Sequence, residues 1–554
     1  MTDPLPVVRL AADAGVIIGT AFDMPGANGA RAAGPTEGSL VRLERRAVDI
    51  ARSLWGAYVA VLQDPANAGV YRDPSAGLAA LSWSLGHGVT VVSSQLTGLP
   101  SKVGPARPFL NWDRIAAYLA LPSANVDASL FDDVTVLGPG AFVALGDTTA
   151  PQHLVWTSST FAADPVDDRE FASRELASRV EACTSALVGS YDRVILEMSG
   201  GLDSSIVAGC VAATGHRGRV AEGLNIAFGR PESDEIGYAQ AVADRLGVPL
   251  QCVAHAPDPM QEAAFGDFAR AFQPCVNSVD AKWDLHEIER LKACGAQALV
   301  SGQGGDAVFF QMPSALIAAD LIATKGWRAL ASPIVADVAR RARMSVWDVA
   351  REVRRQGRGA VLPDGRSTLL APCVREATGK LAHPWVREAR AANLSPAKQL
   401  HVMAVANFHG NQRPRRRRDV ADVVFPLFAQ PVLEHCLRIP AHILAGASYD
   451  RAFARHTFAD RLPDLVFRRR TKGLVTVYFA RLVANSLAVL RPFLLDGVLA
   501  DAGVLDRDAL ARALDPDHLI WEAKPSDILW AVAMEAWVRH WQTQVPDSHR
   551  ASRG

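Results

Sequence analysis

A chain of 554 residues exceeds the usual size of one hydrophobic core, so two or more domains with ample buried interior are expected. Lys and Arg together number 58, as do Asp and Glu, which excludes a global field drawing the protein to nucleic acid or anionic membrane. A hydrophobic fraction of 49% with 21% charged residues excludes a disordered chain.

The start, Met1-Thr2-Asp3-Pro4, has no basic region leading into an apolar run, so no secretory signal is read and a cytoplasmic location is expected. Residues 5–160 consist of short alternating apolar segments such as Val89-Thr90-Val91-Val92-Ser93, separated by Gly, Pro, Asn and Asp turns, which predicts a strand-rich half. Residues 74–101 carry no acid, lysine or arginine, but glycines and polar residues break them into strands rather than a bilayer span. The polar stretch 157–168 reads as a linker, and Phe171, Leu176, Val180, Cys183 and Leu187 then recur at helical spacing over 169–190. A domain boundary near 160 follows.

Arg193-Val194-Ile195-Leu196 is a β-branched run entering a Gly/Ser turn, and 206–213 continues as an apolar helix. A second strand and helix are predicted at Leu224-Asn225-Ile226-Ala227-Phe228 and 235–246, with Ser233 and Asp234 suited to capping. A third strand, Ala298-Leu299-Val300, runs into Ser301-Gly302-Gln303-Gly304-Gly305-Asp306. Strands alternating with helices imply a parallel sheet with ligands at its carboxyl edge, where both glycine-rich turns would lie. From 314 onward the chain reads as mostly helical, and the Arg-rich segments 338–358 and 413–418 are its only charge concentrations. Seven cysteines without C-x-x-C pairs argue for buried, reduced thiols rather than zinc or a disulfide framework.

The turn Ser199-Gly200-Gly201-Leu202-Asp203-Ser204-Ser205 has the parts of a pyrophosphate cradle. Its glycines allow close backbone approach, its hydroxyls donate, and the helix N-terminus favours an anion. Asp203 adds a carboxylate for magnesium. The loop lacks the lysine of G-x-x-x-x-G-K-[ST], which suits γ-phosphate chemistry. For Asp306 the competing reading is a turn-capping aspartate after two glycines.

The 199–205 turn resembles the S-G-G-x-D-S signature of the N-type ATP pyrophosphatases, and more specifically the asparagine synthetase superfamily. Residues 301–306 sit where asparagine synthetases carry S-G-E-G-S-D-E. The resemblance implies ATP and Mg²⁺ as cofactors, with Ser199, Gly200, Gly201, Asp203, Ser204, Ser205, Phe228, Ser301 and Gly302 binding ATP and pyrophosphate, and Asp203 and Asp306 holding the metal. Arg468-Arg469-Arg470-Thr471-Lys472-Gly473 is similar to the family's R-x-x-K segment, which makes Lys472 the catalytic lysine. Cys275-Val276-Asn277-Ser278 occupies the place of a substrate-pocket loop. In the first half, Tyr71-Arg72-Asp73-Pro74, Val91-Val92-Ser93-Ser94 and Leu137-Gly138-Pro139-Gly140 resemble the family's amidotransferase region. The implied fold is α/β. It comprises a degenerate amidotransferase-like (Ntn-type) β-rich sandwich over 1–160 and an ATP-pyrophosphatase domain (adenine nucleotide alpha hydrolase-like), with a parallel sheet and many helices, over 165–554.

Two departures shape the expected activity. Glutamine-dependent relatives place a cysteine after the initiator methionine, whereas this chain has Thr2 there and no cysteine before Cys183, so the first half is read as a structural domain. Gln303 replaces a glutamate, and a neutral amide cannot act as general base. Segments 425–434 and 450–455 resemble lasso-peptide macrolactam cyclases, and the tyrosine that β-lactam synthetases carry at position 303 is absent. The implied reaction is AMP-forming: adenylation of an Asp or Glu side chain in a precursor peptide, followed by attack of the peptide's α-amine. A leader peptidase and a precursor-recognition protein are the implied partners, with no nucleic acid and no membrane. An ammonia-dependent amide ligase and a non-catalytic peptide- or nucleotide-binding paralogue are the alternatives. The run 413–418 reads either as a contact to phosphate or peptide carboxylate or as a solvated loop.

Overall fold

The computed structural model describes residues 5–543 except 26–38, 101, 106–108, 147–149, 229–234, 270, 313, 357–365, 379–380, 413–414, 447–449, 471–474 and 522–523. Thr2, Ser233, Asp234 and Lys472 therefore lie outside the described residues.

The first half contains strands β1 (Val7–Arg9), β2 (Gly15–Asp23), β3 (Leu54–Gln63), β4 (Ala68–Arg72), β5 (Leu81–Gly86), β6 (Val89–Ser93), β7 (Thr135–Val136), β8 (Ala141–Ala144) and β9 (His153–Leu154). They form a six-stranded antiparallel sheet, β1-β2-β3-β4-β8-β9, and a three-stranded one, β6-β5-β7. Side chains alternate across β3. Tyr58, Ala60 and Leu62 pack with Leu43, Ala47 and Ala51 of the helix Ser39–Ser53, while Val59 joins Val70, Leu137 and Val143 on the opposite face. Among the described residues the half read as strands thus also carries the helices Ser39–Ser53 and Trp112–Ala120. Both are short amphipathic segments among stronger strand signals.

The second half is organised by five parallel strands: β10 (Val194–Glu197), β11 (Val220–Ala227), β12 (Leu250–Ala254), β13 (Ala298–Val300) and β14 (Asp422–Val424). Their order is β12-β11-β10-β13-β14, every pairing parallel. The chain leaves β10 towards β11 on one side and β13 towards β14 on the other, so the sheet has a topological switch point between β10 and β13. The helix Arg169–Gly189 is capped by Asp168, whose side chain accepts from the amides of Glu170 and Phe171. Leu176, Val180 and Cys183 are buried as their spacing requires, but Phe171 is exposed. The strands β12 and β14 are not recognisable in the sequence. β14 is three residues long within a helical region, held by its pairing to β13.

The stretch read as a linker is folded and pinned. Ser158–Ala162 forms a short helix, and the Ser158 hydroxyl donates to Glu388 at 3.0 Å. The two halves share their cores. Trp156 packs against Trp385, ring centroids 4.5 Å apart and tilted by 38°, and its indole N–H donates to Glu434 at 2.9 Å. Phe131 packs against Trp537 and Trp541 of the C-terminal helix Pro525–Thr543. No cysteine in the chain is disulfide-bonded; Cys183, Cys210, Cys275 and Cys436 are buried, whereas Cys252 and Cys373 are exposed, contrary to the uniformly buried expectation. Among the described residues no single helix is long and apolar enough to cross a membrane.

A histidine relay crosses the junction of the halves. The Trp385 amide donates to His383 Nδ1 (3.0 Å), His383 Nε2 pairs with His409 Nδ1 (3.2 Å), and His409 Nε2 bonds the Pro74 carbonyl (3.0 Å). Each ring nitrogen already has one role, so an added proton would face another donor and both rings stay neutral. Burial holds the pKa of His409 at about 3, and burial together with His409 and Arg387 depresses His383. A histidine depressed below its unfolded value contributes stability that is complete above pH ~6.5 and is lost as the pH falls. From His409 alone the loss is about 2 kcal/mol at pH 5. Urea unfolding at pH 7 and pH 5 is expected to show that loss in the wild type relative to His409→Gln. Parallel pH dependence of the two proteins would refute it.

Candidate active site

Both glycine-rich turns leave the sheet at its switch point. β10 and β13 pair directly, Leu196 opposite Val300, so the turns that follow them are neighbours. Their contact is close enough to exclude side chains. A Cβ on Gly302 would lie 2.4 Å from the amide nitrogen of Ser204, and one on Gly305 would lie 2.5 Å from Asp203 Cγ. Gly200 has a left-handed backbone with φ of 66°, and a Cβ there would meet Tyr238 at 2.5 Å. Glycine at 302 and 305 is thus what lets one turn lie on the other, and glycine at 200 lets the first turn lie against the helix Ile236–Leu246.

Around them opens a cavity of ≈390 Å³. Ser199, Gly201, Asp203 and Ser204 line it from the first turn, Ser301, Gly302 and Asp306 from the second, and Phe228 from the end of β11. Two of the residues expected at the nucleotide do not line it. Gly200 shapes the turn, and its carbonyl accepts from Arg469 at 3.0 Å. The Ser205 hydroxyl is buried and donates to the Gly201 carbonyl at 2.7 Å, which closes the first helical turn. Ser199 and Ser204 hydroxyls are 3.1 Å apart, at the N-terminus of the helix Leu202–Ala213. Amides and hydroxyls gathered at a helix N-terminus form an anion cradle.

Asp203 and Asp306 converge on a single cation. Arg451 Nη1 donates to Asp203 Oδ2 at 2.5 Å and also to Asp306 Oδ1. A guanidinium nitrogen that reaches both carboxylates shows that one cation can be shared between them. Hard oxygen donors of this kind, completed by phosphate oxygens and water, suit Mg²⁺. Among the described residues no cluster of three His, Cys, Asp or Glu side chains exists that would bind a metal without such help.

The cavity also contains a carboxyl pair that has no sequence signal, Glu287 buried and Glu197 half-buried. Arg417 Nη1 lies 2.7 Å from Glu287 and 3.5 Å from Glu197, and the Trp283 indole donates to Glu287 at 2.8 Å. Burial and the neighbouring Glu287 raise the Glu197 carboxyl to about 7. Burial pushes Glu287 up too, but Arg417 and Arg415 outweigh it and hold Glu287 low. The solvated-loop reading of the run 413–418 is thereby corrected for its described residues. Its described guanidiniums pair with the protein's own groups: Arg415 with Asp284, Arg416 with Asp267, Arg417 with the glutamates, and Arg418 with the Gly77 carbonyl. A lone glutamate just before a glycine turn carries no sequence signal, and an arginine run reads as solvated unless its partners are known.

The segment that leads to Lys472 is tied to the site. Arg469 bridges the Gly200 carbonyl and Glu235 (2.6 Å), its guanidinium 4.2 Å from the Tyr238 ring centroid. Arg455, buried, donates to the carbonyls of Val466 and Phe467 at 2.8 and 2.9 Å. Phe228 packs at 4.9 Å on Tyr478, whose hydroxyl donates to Asp280 at 2.5 Å, and at 5.5 Å on Trp283. Phe228 therefore packs in an aromatic cluster at the strand end and also forms part of the cavity wall. Cys275 is buried and does not line the cavity.

A model of the family described as Asparagine synthase matches residues 175–541. No curated protein matches the sequence.

Proposed function

The chain belongs to the asparagine synthase family, whose members are ATP-dependent ligases, and from that premise we propose that it closes a macrolactam ring in a lasso precursor peptide with release of AMP and pyrophosphate. The observation that carries the ATP half-reaction is the convergence of residues 199–204 and 301–306 around one cavity with two carboxylates that share a cation. The ring-closing half rests on the sequence, through Thr2, Gln303 and the likeness of 425–434 and 450–455 to the cyclases.

In the first step an Asp or Glu side-chain oxygen of the peptide attacks the ATP α-phosphorus. The bond from that phosphorus to the β-phosphate bridge breaks, and pyrophosphate leaves with the electron pair. Ser199, Ser204 and the amides of the turn receive its negative charge at the helix N-terminus. Asp203 and Asp306 would hold Mg²⁺, which supplies charge neutralisation at the phosphates when bound. In the second step the peptide's α-amine attacks the acyl carbon, the carbon–oxygen bond to AMP breaks, and the amine proton passes to solvent. Lys472 is proposed to stabilise the charge that develops at phosphorus and at the tetrahedral carbon. An α-amine with a pKa near 7.7–8 has a useful neutral fraction at cytoplasmic pH, so positioning can replace a dedicated base. The peptide would reach the enzyme through a leader peptidase and a precursor-recognition protein.

Mass spectrometry of a leader-free precursor peptide incubated with enzyme, ATP and Mg²⁺ tests this reading. Ring closure removes one water and makes AMP. Incorporation of external nitrogen when ammonia is supplied would instead identify an amide ligase. Absence of any pyrophosphate release with the carboxylate peptide would leave a non-catalytic binding paralogue.

A further inference from the structure

Arg451 is placed unusually for a residue whose neighbours are to bind a metal. It is buried, its backbone is left-handed with φ of 50°, and its Nη1 lies between Asp203 and Asp306. Its other edge is held by Asp450 at 3.0 Å. Asp450 is in turn bonded by Gln311 (3.0 Å) and lies 3.5 Å from Arg341. A non-glycine residue in that backbone region is kept there by its surroundings, and here those surroundings direct the guanidinium at the two aspartates.

We propose that Arg451 is the cation of the metal-free site: it neutralises Asp203 and Asp306 until a metal–nucleotide complex displaces it. The inference rests on the proposed ATP and Mg²⁺ site and adds how that site is loaded. Two carboxylates brought together repel each other unless a positive charge lies between them, and the guanidinium supplies that charge. A free divalent ion has to take both carboxylates from a buried guanidinium, which is then left with Asp450 alone, an anion it shares with Arg341. A metal that arrives on a triphosphate brings the anion with it. Metal and nucleotide are therefore taken up together, and free metal binds weakly. Arg451 acts here as a positioning residue, through Asp203 and Asp306.

The test uses the full chain and Mn²⁺ alone, titrated by calorimetry or electron paramagnetic resonance with no nucleotide or peptide present. Arg451→Gln is expected to bind Mn²⁺ at least roughly tenfold more tightly than the wild type, because the competing cation is gone. Arg451→Lys, which keeps the charge, is expected to stay close to the wild type. Without its cation the Arg451→Gln protein should also melt below the wild type and be restored by Mn²⁺ alone, whereas the wild-type melt should not move. Equal Mn²⁺ affinity in wild type and Arg451→Gln, or an Arg451→Gln melt indifferent to Mn²⁺, overturns the proposal. These readouts involve no nucleotide. Failure of the wild type to form AMP with a carboxylate peptide would therefore count against the function reading and leave the competition at Asp203 and Asp306 to be judged by itself.

Discussion

Asp203→Ala and Asp306→Ala are each expected to reduce carboxylate-dependent AMP formation by at least about a thousandfold, while Thr2→Ala leaves it unchanged. The two aspartates come from different turns, yet they meet at one cation, so neither can replace the other. Loss of either removes half of the oxygen donors that the protein offers a metal, and phosphate and water cannot restore the fixed geometry. The Asp203 side chain is largely covered, whereas that of Asp306 is 43% exposed, so Asp306→Ala is the cleaner variant for separating chemistry from folding. AMP release is measured in single turnover, with melting curves to verify folding. Near-normal turnover in a folded variant of either residue would remove the metal assignment.

The second large effect is on stability. Arg417→Ala should cost roughly 3–5 kcal/mol, because it leaves buried carboxyl groups without their cation. Arg417 is 3% exposed, and Glu287 is fully buried beside it. Removing the charge on the partner as well should recover part of the loss, so Arg417→Met with Glu287→Gln should be more stable than Arg417→Ala. Urea unfolding measures both. A cost for Arg417→Ala below about 1 kcal/mol would show that water reaches the pair and that the burial argument is wrong. The same cluster forms part of the cavity wall through Glu197 and Glu287, so a surviving Arg417→Ala protein should also bind ATP less tightly.

Much of the sheet's carboxyl edge was legible because its signals are local. Glycines at 200, 302 and 305 mark turns that cannot carry a Cβ, a β-branched run marks β10, a short apolar run before a glycine-rich turn marks β13, and Asp203 follows from its place in a first helical turn. The strands β12 and β14 were not legible, since their residues become strands only by pairing with β11 and β13. The stretch after Trp156 had the composition of a linker. Ser158 and Ser159 instead bond Glu388, a partner 230 and 229 residues away.

The sequence by itself located the two turns beside the cavity, because backbone conformation, turn chemistry and strand spacing are properties of neighbouring residues, but it did not separate Gly200 and Ser205 from the residues that line it. Only the tertiary structure decided how charge is arranged there. It placed Arg451 between Asp203 and Asp306, set Arg417 between Glu197 and Glu287, and paired the described arginines of the 413–418 run with the protein's own groups. The physical reason is that a charge's role depends on burial and on the nearest opposite charge, and in each of these pairs the partner lies more than a hundred residues away along the chain.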